Sequence, residues 1–392
     1  MTYRKLSADY IFTGTALLSG NYVLITDDKG KIQDIVHSNE AGEDVENLAG
    51  ILSPGFINAH CHIELSHLRN IIPEQSGLVD FVFKVVTERH FADEEILNSI
   101  KMAEEEMIEN GIVAVGDICN NILSLPSKKS SLLECYNFIE VSGWDPGIAS
   151  TRFEKSRSVY AEFLKNNQKA SLVPHAPYSV SPELWGKITP FFQDKVITIH
   201  NQETQDEDVF FIDGSGMLQE MYRKMNINNS FYKPSGYRSI QNYFKNFSAA
   251  ASVILVHNTF MKQEDIDFIS ESKRADQGLS FCLCPNANLY IEQSLPPVNL
   301  LMQNNCNIIM GTDSLASNHQ LSVLEELKTI SKHLPAIPLE ILLQWATING
   351  AKALQMDGSL GSFERGKQPG VILIENIENK KLTGDSSAKR IL

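Results

Sequence analysis

Two histidines, His60 and His62, stand one residue apart in the stretch PGFINAHCHIELSHL, at the end of an apolar run. Successive side chains of a β-strand alternate between its two faces, so both imidazoles would point the same way and could bind one metal ion. Paired histidines also occur as surface or hydrogen-bonded groups, and the pair alone does not establish a metal site. Any further ligands must come from other parts of the chain.

Ligand-type side chains also end other strand-like runs. His175 follows ASLVP, His200 ends KVITIH, and His257 ends ASVILVH. Asp313 follows the last of these runs, in GTDS. The strands of a parallel barrel place their carboxyl ends and their catalytic groups at one face, so these residues and the first pair are predicted to meet there. Scattered core histidines would not gather in this way, and the sequence therefore predicts a metal site.

The elements that would position these residues form a regular series. Eight strand-like runs, from LSPGFINAHCH to CNIIMGTDSLASN, alternate with segments of helical spacing such as DEEILNSIKMAEEEMIEN and MKQEDIDFISESK. This alternation is typical of a parallel sheet with crossover helices. Eight such units predict an α/β fold, a closed (β/α)8 TIM barrel, over residues 54–357.

Both ends of the chain lie outside the predicted barrel. Residues 1–53 and 358–392 read as short strands with turns, and DDKGK indicates a hairpin. Neither end could form a core alone, so the two are predicted to pair into one small β-sandwich domain. Within the barrel, the stretch 206–247 is long for a single crossover and is predicted to carry an extra helix or a lid.

Composition limits the class of partner. The 392 residues include 34 Lys plus Arg against 48 Asp plus Glu, which gives a formal net charge of −14. Such a chain disfavours a nucleic-acid backbone or an anionic membrane as partner and favours a small-molecule substrate. The opening MTYRKLSADYIFTG supports neither a signal peptide nor a membrane-spanning helix, so a cytoplasmic protein is expected. A homodimer is one of the oligomeric states left open.

The six cysteines lie mostly inside apolar runs, and a chain of this size does not need disulfides, so they read as reduced core thiols. Cys282 and Cys284, in FCLCPNAN, could also be argued as soft metal ligands. No second cysteine pair accompanies them, which favours the core interpretation.

Several of these motifs together resemble one known family. PGFINAHCH, HNQE at 200–203, VHNTF at 256–260, GTDSLASN and the late ATINGAKALQMDG…GSFERGK are similar to the amidohydrolase superfamily, in its nucleobase-deaminase and chlorohydrolase-like branch. The resemblance covers nearly the whole chain. It implies a barrel flanked by a small β-sandwich built from both chain ends, in agreement with the pattern of elements.

The resemblance also implies a site with one divalent metal ion, Zn²⁺ or alternatively Fe²⁺, bound by His60, His62, His200 and Asp313. Three imidazoles and one carboxylate suit either ion and leave a position open for water. A carboxylate beside that water, Asp313, could accept its hydrogen bond and aim it. In this pattern His257 holds the water or supports the metal, and Glu203 carries the proton from water to the substrate ring.

Substrate contacts are predicted from three further residues. The resemblance makes His175 a substrate contact, whereas its flanking prolines in PHAPYS would also suit a structural histidine. Glu64 and Ser66 follow the HxH pair with the same alternation and are predicted to line the same pocket. His67 and His319 could each lie either at the edge of the pocket or on the surface of the protein.

One departure bears on the number of metal ions. Two-metal members of the superfamily commonly bridge their ions with a lysine at the end of strand four, and that strand here ends in LVPHAPYSV. The missing lysine favours a one-metal site and disfavours an amide-ring hydrolase of the hydantoinase type. A noncatalytic metal-binding protein is the rival class of function. The complete set of ligands and the proton carrier disfavour it.

The substrate is predicted from the stretch that follows the HxH pair. NAHCHIELSHLRNIIPEQSGLVDFVFKVVTER is similar to 6-aminodeoxyfutalosine deaminases of the alternative menaquinone pathway, in which an HxHxELS pattern recurs. The prediction is an aminohydrolase that removes the 6-amino group of an adenine-type nucleoside, with 6-aminodeoxyfutalosine favoured. Deamination of methylthioadenosine, adenosylhomocysteine or guanine, or another chlorohydrolase-like reaction, remains the alternative.

Overall fold

A computed structural model describes residues 3–392 of the chain. Met1 and Thr2, the first residues of the predicted small domain, lie outside the described part. In chain order, the strands are β1 (Tyr3–Ser7), β2 (Tyr10–Phe12), β3 (Leu17–Ser19), β4 (Tyr22–Asp27), β5 (Ile32–His37), β6 (Glu46–Asn47), β7 (Ile51–Pro54), β8 (Phe56–Cys61), β9 (Ile112–Cys119), β10 (Glu134–Val141), β11 (Lys169–Pro174), β12 (Val196–Asn201), β13 (Ser252–His257), β14 (Gly278–Leu283), β15 (Ile308–Met310), β16 (Val371–Glu378) and β17 (Lys381–Arg390).

Helices separate most of the middle strands. They are α1 (Leu78–Glu88), α2 (Asp93–Glu109), α3 (Leu125–Lys128), α4 (Ala149–Lys165), α5 (Pro182–Ile188), α6 (Gln205–Asp213), α7 (Met217–Lys224), α8 (Ser239–Tyr243), α9 (Gln263–Ser272), α10 (Pro285–Glu292), α11 (Val298–Gln303), α12 (Val323–His333), α13 (Leu339–Ala346) and α14 (Ile348–Ala353). Short 3₁₀ helices cover Ile63–Leu68, Pro146–Ile148, Pro177–Ser179, Thr189–Phe191 and Phe244–Phe247. No helix in the described residues is both long and apolar enough to span a membrane.

The eight strands β8 to β15 coincide with the eight strand-like runs and form two parallel sheets. Their orders are β11-β10-β9-β8 and β12-β13-β14-β15. The two sheets also meet at both pairs of edges. At one pair, the main-chain amide of His200 donates to the carbonyl of His175 at 3.0 Å. At the other, the amides of Thr312 and Asp313 donate to the carbonyl of His60, both at 3.1 Å.

Burial explains the composition of these strands. Strands β8, β12 and β13 are buried along their whole length, as is typical of parallel strands covered on both faces. The helices cover them with one apolar face each. In α2, for example, the buried positions Ile96, Ile100, Ala103 and Met107 recur every three or four residues.

The two ends of the chain combine in one five-stranded sheet, of order β17-β16-β7-β2-β3. A second sheet, β5-β4-β1-β6, contains only amino-terminal strands. Apolar side chains shared by both sheets, such as Leu24, Leu52 and Leu373, form a core separate from that of the middle strands. The predicted hairpin is present between β4 and β5, where Gly30 adopts a positive φ of 81°.

The long connection after β12 contains three helices. They are α6, α7 and α8, followed by the 3₁₀ helix Phe244–Phe247, so this crossover carries more than one extra helix. Movement of this segment as a lid stays a prediction.

Candidate active site

The predicted metal ligands converge at the carboxyl ends of the strands. His60 lies in β8, and His62 follows its last residue. Both Nε2 atoms are 3.4 Å from Oδ1 of Asp313, and Nε2 of His62 is 3.2 Å from Nε2 of His200. His257 also has a ring nitrogen within 4.8 Å of ligand atoms of His60, His200 and Asp313. All five side chains are buried.

The protonation of these groups fits a bound cation. Nδ1 of His200 lies 2.7 Å from the carbonyl oxygen of His175, so the neutral ring carries its proton there and turns the lone pair of Nε2 toward the cluster. Burial, followed by the neighbouring histidines, holds the pKa of His200 well below its ordinary value. Burial also lowers the pKa of His62 to about 4. Neither ring nitrogen of His60 has a hydrogen-bond partner among the described residues.

The carboxylate of the cluster is held in place by a hydroxyl group. Oδ2 of Asp313 accepts a hydrogen bond from Ser317, which leaves Oδ1 facing His60 and His62. Buried imidazoles and a carboxylate that converge in this way form a donor set suited to Zn²⁺ or Fe²⁺. The residues present therefore fit the metal ion implied by the sequence.

His257 differs from the other histidines in the position of its proton. The amide group of Asn288 lies 3.2 Å from Nδ1 of His257 and donates to it, so the neutral ring carries its proton on Nε2. Burial lowers the pKa of His257 to about 3, which keeps the ring neutral. Its Nε2 has no hydrogen-bond partner in the described chain and lies 3.6 Å from Oε1 of Glu203. This geometry favours a donor that holds water over a metal ligand.

The backbone turns sharply at several site residues. Gln202, His257, Asn258 and Asp313 all have positive φ values, between 44° and 70°. Residues other than glycine adopt this left-handed conformation at a cost on the order of 1–2 kcal/mol each. The turns let the chain leave the strand ends while its side chains still face the metal cluster.

Glu203 lies beside this cluster, two residues past the end of β12. Its side chain is buried and lines the same cavity. Burial, together with the negative charges of Asp313, Glu292 and Glu207, raises the pKa of Glu203 well above its ordinary value. A carboxyl group whose pKa is raised by burial is suited to accept a proton from water and pass it on.

A buried ion network lies directly behind the loop that carries this carboxyl group. The guanidinium of Arg238 donates to Asp265 from Nε and Nη2, both at 2.7 Å, and lies 2.8 Å from Asp208. The side-chain amide of Gln202 donates to the same two carboxylates, at 3.0 Å and 3.2 Å. The network therefore fixes the left-handed residue that immediately precedes the predicted proton carrier.

Removal of the guanidinium should be costly. We expect Arg238→Met to lower the free energy of unfolding by about 3–5 kcal/mol, because two buried carboxylates would lose their counter-charge. Urea unfolding of the full chain measures this change. The control is Arg223→Met, which removes an exposed pair with Glu220 and should cost less than about 1 kcal/mol. Equal losses in the two variants would show that the Arg238 network does not stabilise this loop.

A second acid at the site, Glu140, was missed by the sequence analysis. It lies near the carboxyl end of β10, and its Oε1 is 2.6 Å from Nδ1 of His175. Burial acts against both charges, but their mutual attraction lowers the pKa of Glu140 to about 2 and raises that of His175. Both residues line the cavity, and Nε2 of His175 remains as a donor for a substrate. An acid near the end of an apolar strand was the signal available in ECYNFIEV.

The predicted alternation of Glu64 and Ser66 with the ligands is wrong, because residues 63–68 form a 3₁₀ helix and not a continued strand. The carboxylate of Glu64 accepts hydrogen bonds from the main chain of Asn120 and the side chain of Asn121. Ser66 donates to the carbonyl of Ile63 at 2.7 Å. Neither side chain is part of the cavity lining, and their substrate contact stays a prediction.

The remaining sequence-predicted groups lie outside the metal cluster. His67 faces the carbonyl of Arg89 at 3.3 Å, and the exposed His319 pairs with Glu74. Neither histidine lines the cavity. Cys282 and Cys284 are buried free thiols in the core, as the core interpretation requires.

The cavity has a volume of about 490 Å³. This lies within the range of about 300–1,000 Å³ found for small-molecule sites. Its lining includes the predicted ligands His62, His200 and Asp313 together with Glu203 and His257. A small molecule bound in this cavity would therefore lie against the predicted metal ligands and the predicted proton carrier.

The chain is similar in sequence to one known family and to several known proteins. The amidohydrolase family matches residues 51–391. A 5'-deoxyadenosine deaminase from Methanococcoides burtonii is 25% identical in an alignment of 374 positions that covers 88% of this chain and 77% of the relative. An adenosine deaminase from Helicobacter pylori is 27% identical in an alignment of 330 positions that covers 81% of this chain and 77% of that relative.

Two solved structures have a fold similar to that of this chain. The Helicobacter pylori aminofutalosine deaminase in complex with methylthio-coformycin superimposes with a TM-score of 0.81 at 22% identity, over 97% of this chain and 93% of the other. An adenosine deaminase from Xanthomonas campestris with bound zinc gives a TM-score of 0.73 at 18% identity, over 95% and 84%. At these identities the structural matches establish the fold alone. Because the family match extends over residues 51–391, the chain belongs to the amidohydrolase family and is a hydrolase that acts on carbon–nitrogen bonds.

Proposed function

We propose that the protein removes the 6-amino group of an adenine-type nucleoside, in a reaction that consumes water and releases ammonia. The observation that carries this proposal is the convergence of the four predicted metal ligands, three of which line the same cavity as Glu203. The similarity to adenosine and 5'-deoxyadenosine deaminases supports the class of substrate. The proposed scaffold is a closed (β/α)8 barrel of residues 54–357, flanked by a β-sandwich made from residues 1–53 and 358–392.

The proposed metal ion is Zn²⁺, with Fe²⁺ as the alternative, at about one ion per chain. Its ligands would be His60, His62, His200 and Asp313. When bound, the ion supplies the electrostatic activation that makes water a nucleophile near neutral pH. The Xanthomonas campestris adenosine deaminase, which contains zinc, supports the choice of metal.

Residues of the chain itself would handle the protons. The carboxylate of Glu203 accepts a proton from the attacking water and delivers it to a ring nitrogen of the purine, which prepares the neighbouring carbon for attack. Nε2 of His257 and the carboxylate of Asp313 hold and aim that water. Nε2 of His175, whose ring is fixed by Glu140, donates to the substrate. After attack, the proton of the added hydroxyl passes by way of Glu203 to the 6-amino group, the carbon–nitrogen bond to that group breaks, and ammonia leaves a carbonyl at the 6 position.

The finer proposal is that 6-aminodeoxyfutalosine is the favoured nucleoside and that the enzyme serves menaquinone synthesis. The HxHxELS stretch and the similarity in fold to an aminofutalosine deaminase support it. Methylthioadenosine and adenosylhomocysteine are the second candidates, because deaminases of these compounds are 23–27% identical to this chain over most of its length.

Substrate preference tests this proposal. We expect kcat/KM for 6-aminodeoxyfutalosine, methylthioadenosine and adenosine to exceed that for guanine by on the order of 10⁴, since a site built around hydrogen bonds rejects a base that leaves them unpaired. Ammonia release measures each reaction. The same series in Glu64→Gln tests the predicted contact of that residue. A preference for guanine or a triazine would contradict the proposal.

A further inference from the structure

The direction of the His62 ring depends on the main chain that carries it. His62 follows the last residue of β8 with φ −116° and ψ 78°, which lies outside the range of a regular strand. The pairing of β8 with β9 is irregular between Asn58 and Cys61, so the sheet does not fix this residue. Outside the metal cluster, the ring has no hydrogen-bond partner among residues 3–392, although histidine ligands usually have one. The support for this predicted ligand must therefore come from its backbone.

A carboxylate from the neighbouring strand holds that backbone. Oδ1 of Asp117, in β9, accepts the main-chain amide of Ile63 at 2.9 Å. Ile63 is the first residue of the 3₁₀ helix Ile63–Leu68, and amides at the start of a helix have no partner within it. The side chain of His62 does not cap this end. Asp117 therefore fixes the turn directly after the predicted ligand.

The other oxygen of Asp117 belongs to a buried ion pair. Oδ2 accepts a hydrogen bond from the ammonium group of Lys128, at the end of helix α3. Nζ of Lys128 also donates to Oδ1 of Asn137 at 2.8 Å and to Sγ of Cys119 at 3.1 Å, so all three of its donors are used. Both side chains of the pair are 0% exposed. The lysine thereby holds the carboxylate in one orientation, with Oδ1 toward the amide of Ile63.

Stability alone does not account for this pair. Burial acts to lower the pKa of Lys128, but the charge of Asp117 raises it above its ordinary value, so the amine stays charged. Two charges removed from water lose much of what their attraction returns, and apolar residues of similar volume often stabilise a core equally well. An apolar pair would provide no acceptor for the amide of Ile63. The acceptor is what the ion pair adds to this part of the core.

We propose that Asp117, held by Lys128, is a positioning residue of the metal site, which fixes the turn after β8 and so aims the ring of His62 at the ion. The inference rests on the metal site of the proposed function. Neither Asp117 nor Lys128 belongs to the metal cluster or to the cavity lining. Their effect on metal binding would therefore pass through His62.

Two double variants separate the acceptor from the charge. Asp117→Asn with Lys128→Met removes both charges and keeps an oxygen that can accept the amide of Ile63. Asp117→Leu with Lys128→Met also removes both charges but leaves no acceptor. Neither leaves a buried charge unpaired, so both should fold. Asp117→Val, which suits a strand, replaces the leucine change if that protein does not fold.

The affinity for Zn²⁺ is the first measurement, made by competition with a chromophoric chelator. The leucine double variant should bind Zn²⁺ about 10- to 100-fold more weakly than the asparagine double variant, the usual effect of losing a group that orients a ligand. With Co²⁺ in place of Zn²⁺, the leucine double variant should have an altered visible spectrum, and the asparagine double variant should keep that of the wild type. Equal affinities in the two double variants would overturn the proposal.

A third substitution tests whether the effect passes through His62. When His62→Ala is added to both double variants, the difference in Zn²⁺ affinity between them should disappear, since the two sites would no longer be coupled. A difference that persists would overturn the positioning role and leave Asp117 a structural one.

The control is a change in the same core that keeps the carboxylate and the lysine. Nζ of Lys128 lies 5.3 Å from the ring centroid of the buried Phe163. Phe163→Leu should lower Tm, because it removes buried apolar volume, and should leave the affinity for Zn²⁺ unchanged. A loss of affinity as large as that of the leucine double variant would show that general loosening of the core explains the effect, and would overturn the proposal.

The proposed function and this inference can fail separately. A wild-type protein that binds Zn²⁺ but releases ammonia from no nucleoside would overturn the deaminase function, and the affinities of the double variants would still test Asp117. Normal deamination by the wild type, with equal Zn²⁺ affinities in the two double variants, would overturn the positioning role alone.

Discussion

Glu203→Gln should lower kcat by on the order of 10²-fold or more and leave the metal content of the protein unchanged. An amide has nearly the same shape as the carboxyl group but cannot accept the proton from water. The side chain belongs to the cavity lining beside the metal cluster, and its carboxylate faces Nε2 of His257 at 3.6 Å. Steady-state ammonia release, with elemental analysis of the same preparation, measures both quantities.

The matched control for this variant is Glu183→Gln, which changes an exposed acid on helix α5 and should keep wild-type turnover. Near-normal kcat in correctly metallated Glu203→Gln protein would assign the proton transfer to another group. Loss of the metal ion in that variant would instead make Glu203 a ligand. The two measurements together therefore separate the proton carrier from the coordination sphere.

Chelation of the metal ion should abolish activity, and Asp313→Ala should have the same effect. The cluster is buried and its donor atoms converge on one point, so removal of the ion takes away the charge that would activate water. The folded chain should also lose stability, by about 4 kcal/mol if the ion was present at 1,000 times its Kd. Thermal unfolding with and without chelator measures this loss.

The metal content of the protein tests directly how many ions the site holds. We expect about one Zn²⁺ or Fe²⁺ per chain, since the imidazoles and Asp313 complete a single donor set. His319→Ala, which removes an exposed histidine paired with Glu74, should keep both the ion and the activity. Two tightly held ions per active chain would contradict the one-metal site.

The cluster of predicted metal ligands could be found from the sequence because each member lies at the carboxyl end of a strand or within three residues of it. A strand of parallel type is a continuous apolar run, so a histidine or aspartate at its end stands out in the sequence. The parallel arrangement then places all such ends together. Glu140 follows the same rule, at the end of β10, and was missed because no family motif in the sequence drew attention to it.

Other parts of the site depend on contacts that the sequence does not encode locally. Glu64 and Ser66 follow β8 at strand spacing, but a 3₁₀ helix replaces the strand after Cys61, so the expected alternation of side chains does not continue. Two arginines of the cavity lining are far apart in the sequence: Arg89 directly follows α1 and Arg152 belongs to α4, and only the packing of these helices brings both into the lining. Helical spacing alone predicts a face and does not say what that face meets.

Hydrogen bonds between the first of the parallel strands and the segment after the last one affect the order in which the chain can fold. Asn58, in β8, donates a side-chain hydrogen bond of 2.7 Å to Thr312, although 254 positions separate them in the sequence. His60 and His62 therefore leave the ribosome long before Asp313, and during synthesis their partner does not yet exist. Contacts of such long range form late and slowly. Metal uptake would then mark the completion of the set of parallel strands, and a chain interrupted before Asp313 would expose unfinished strand edges to aggregation or proteolysis.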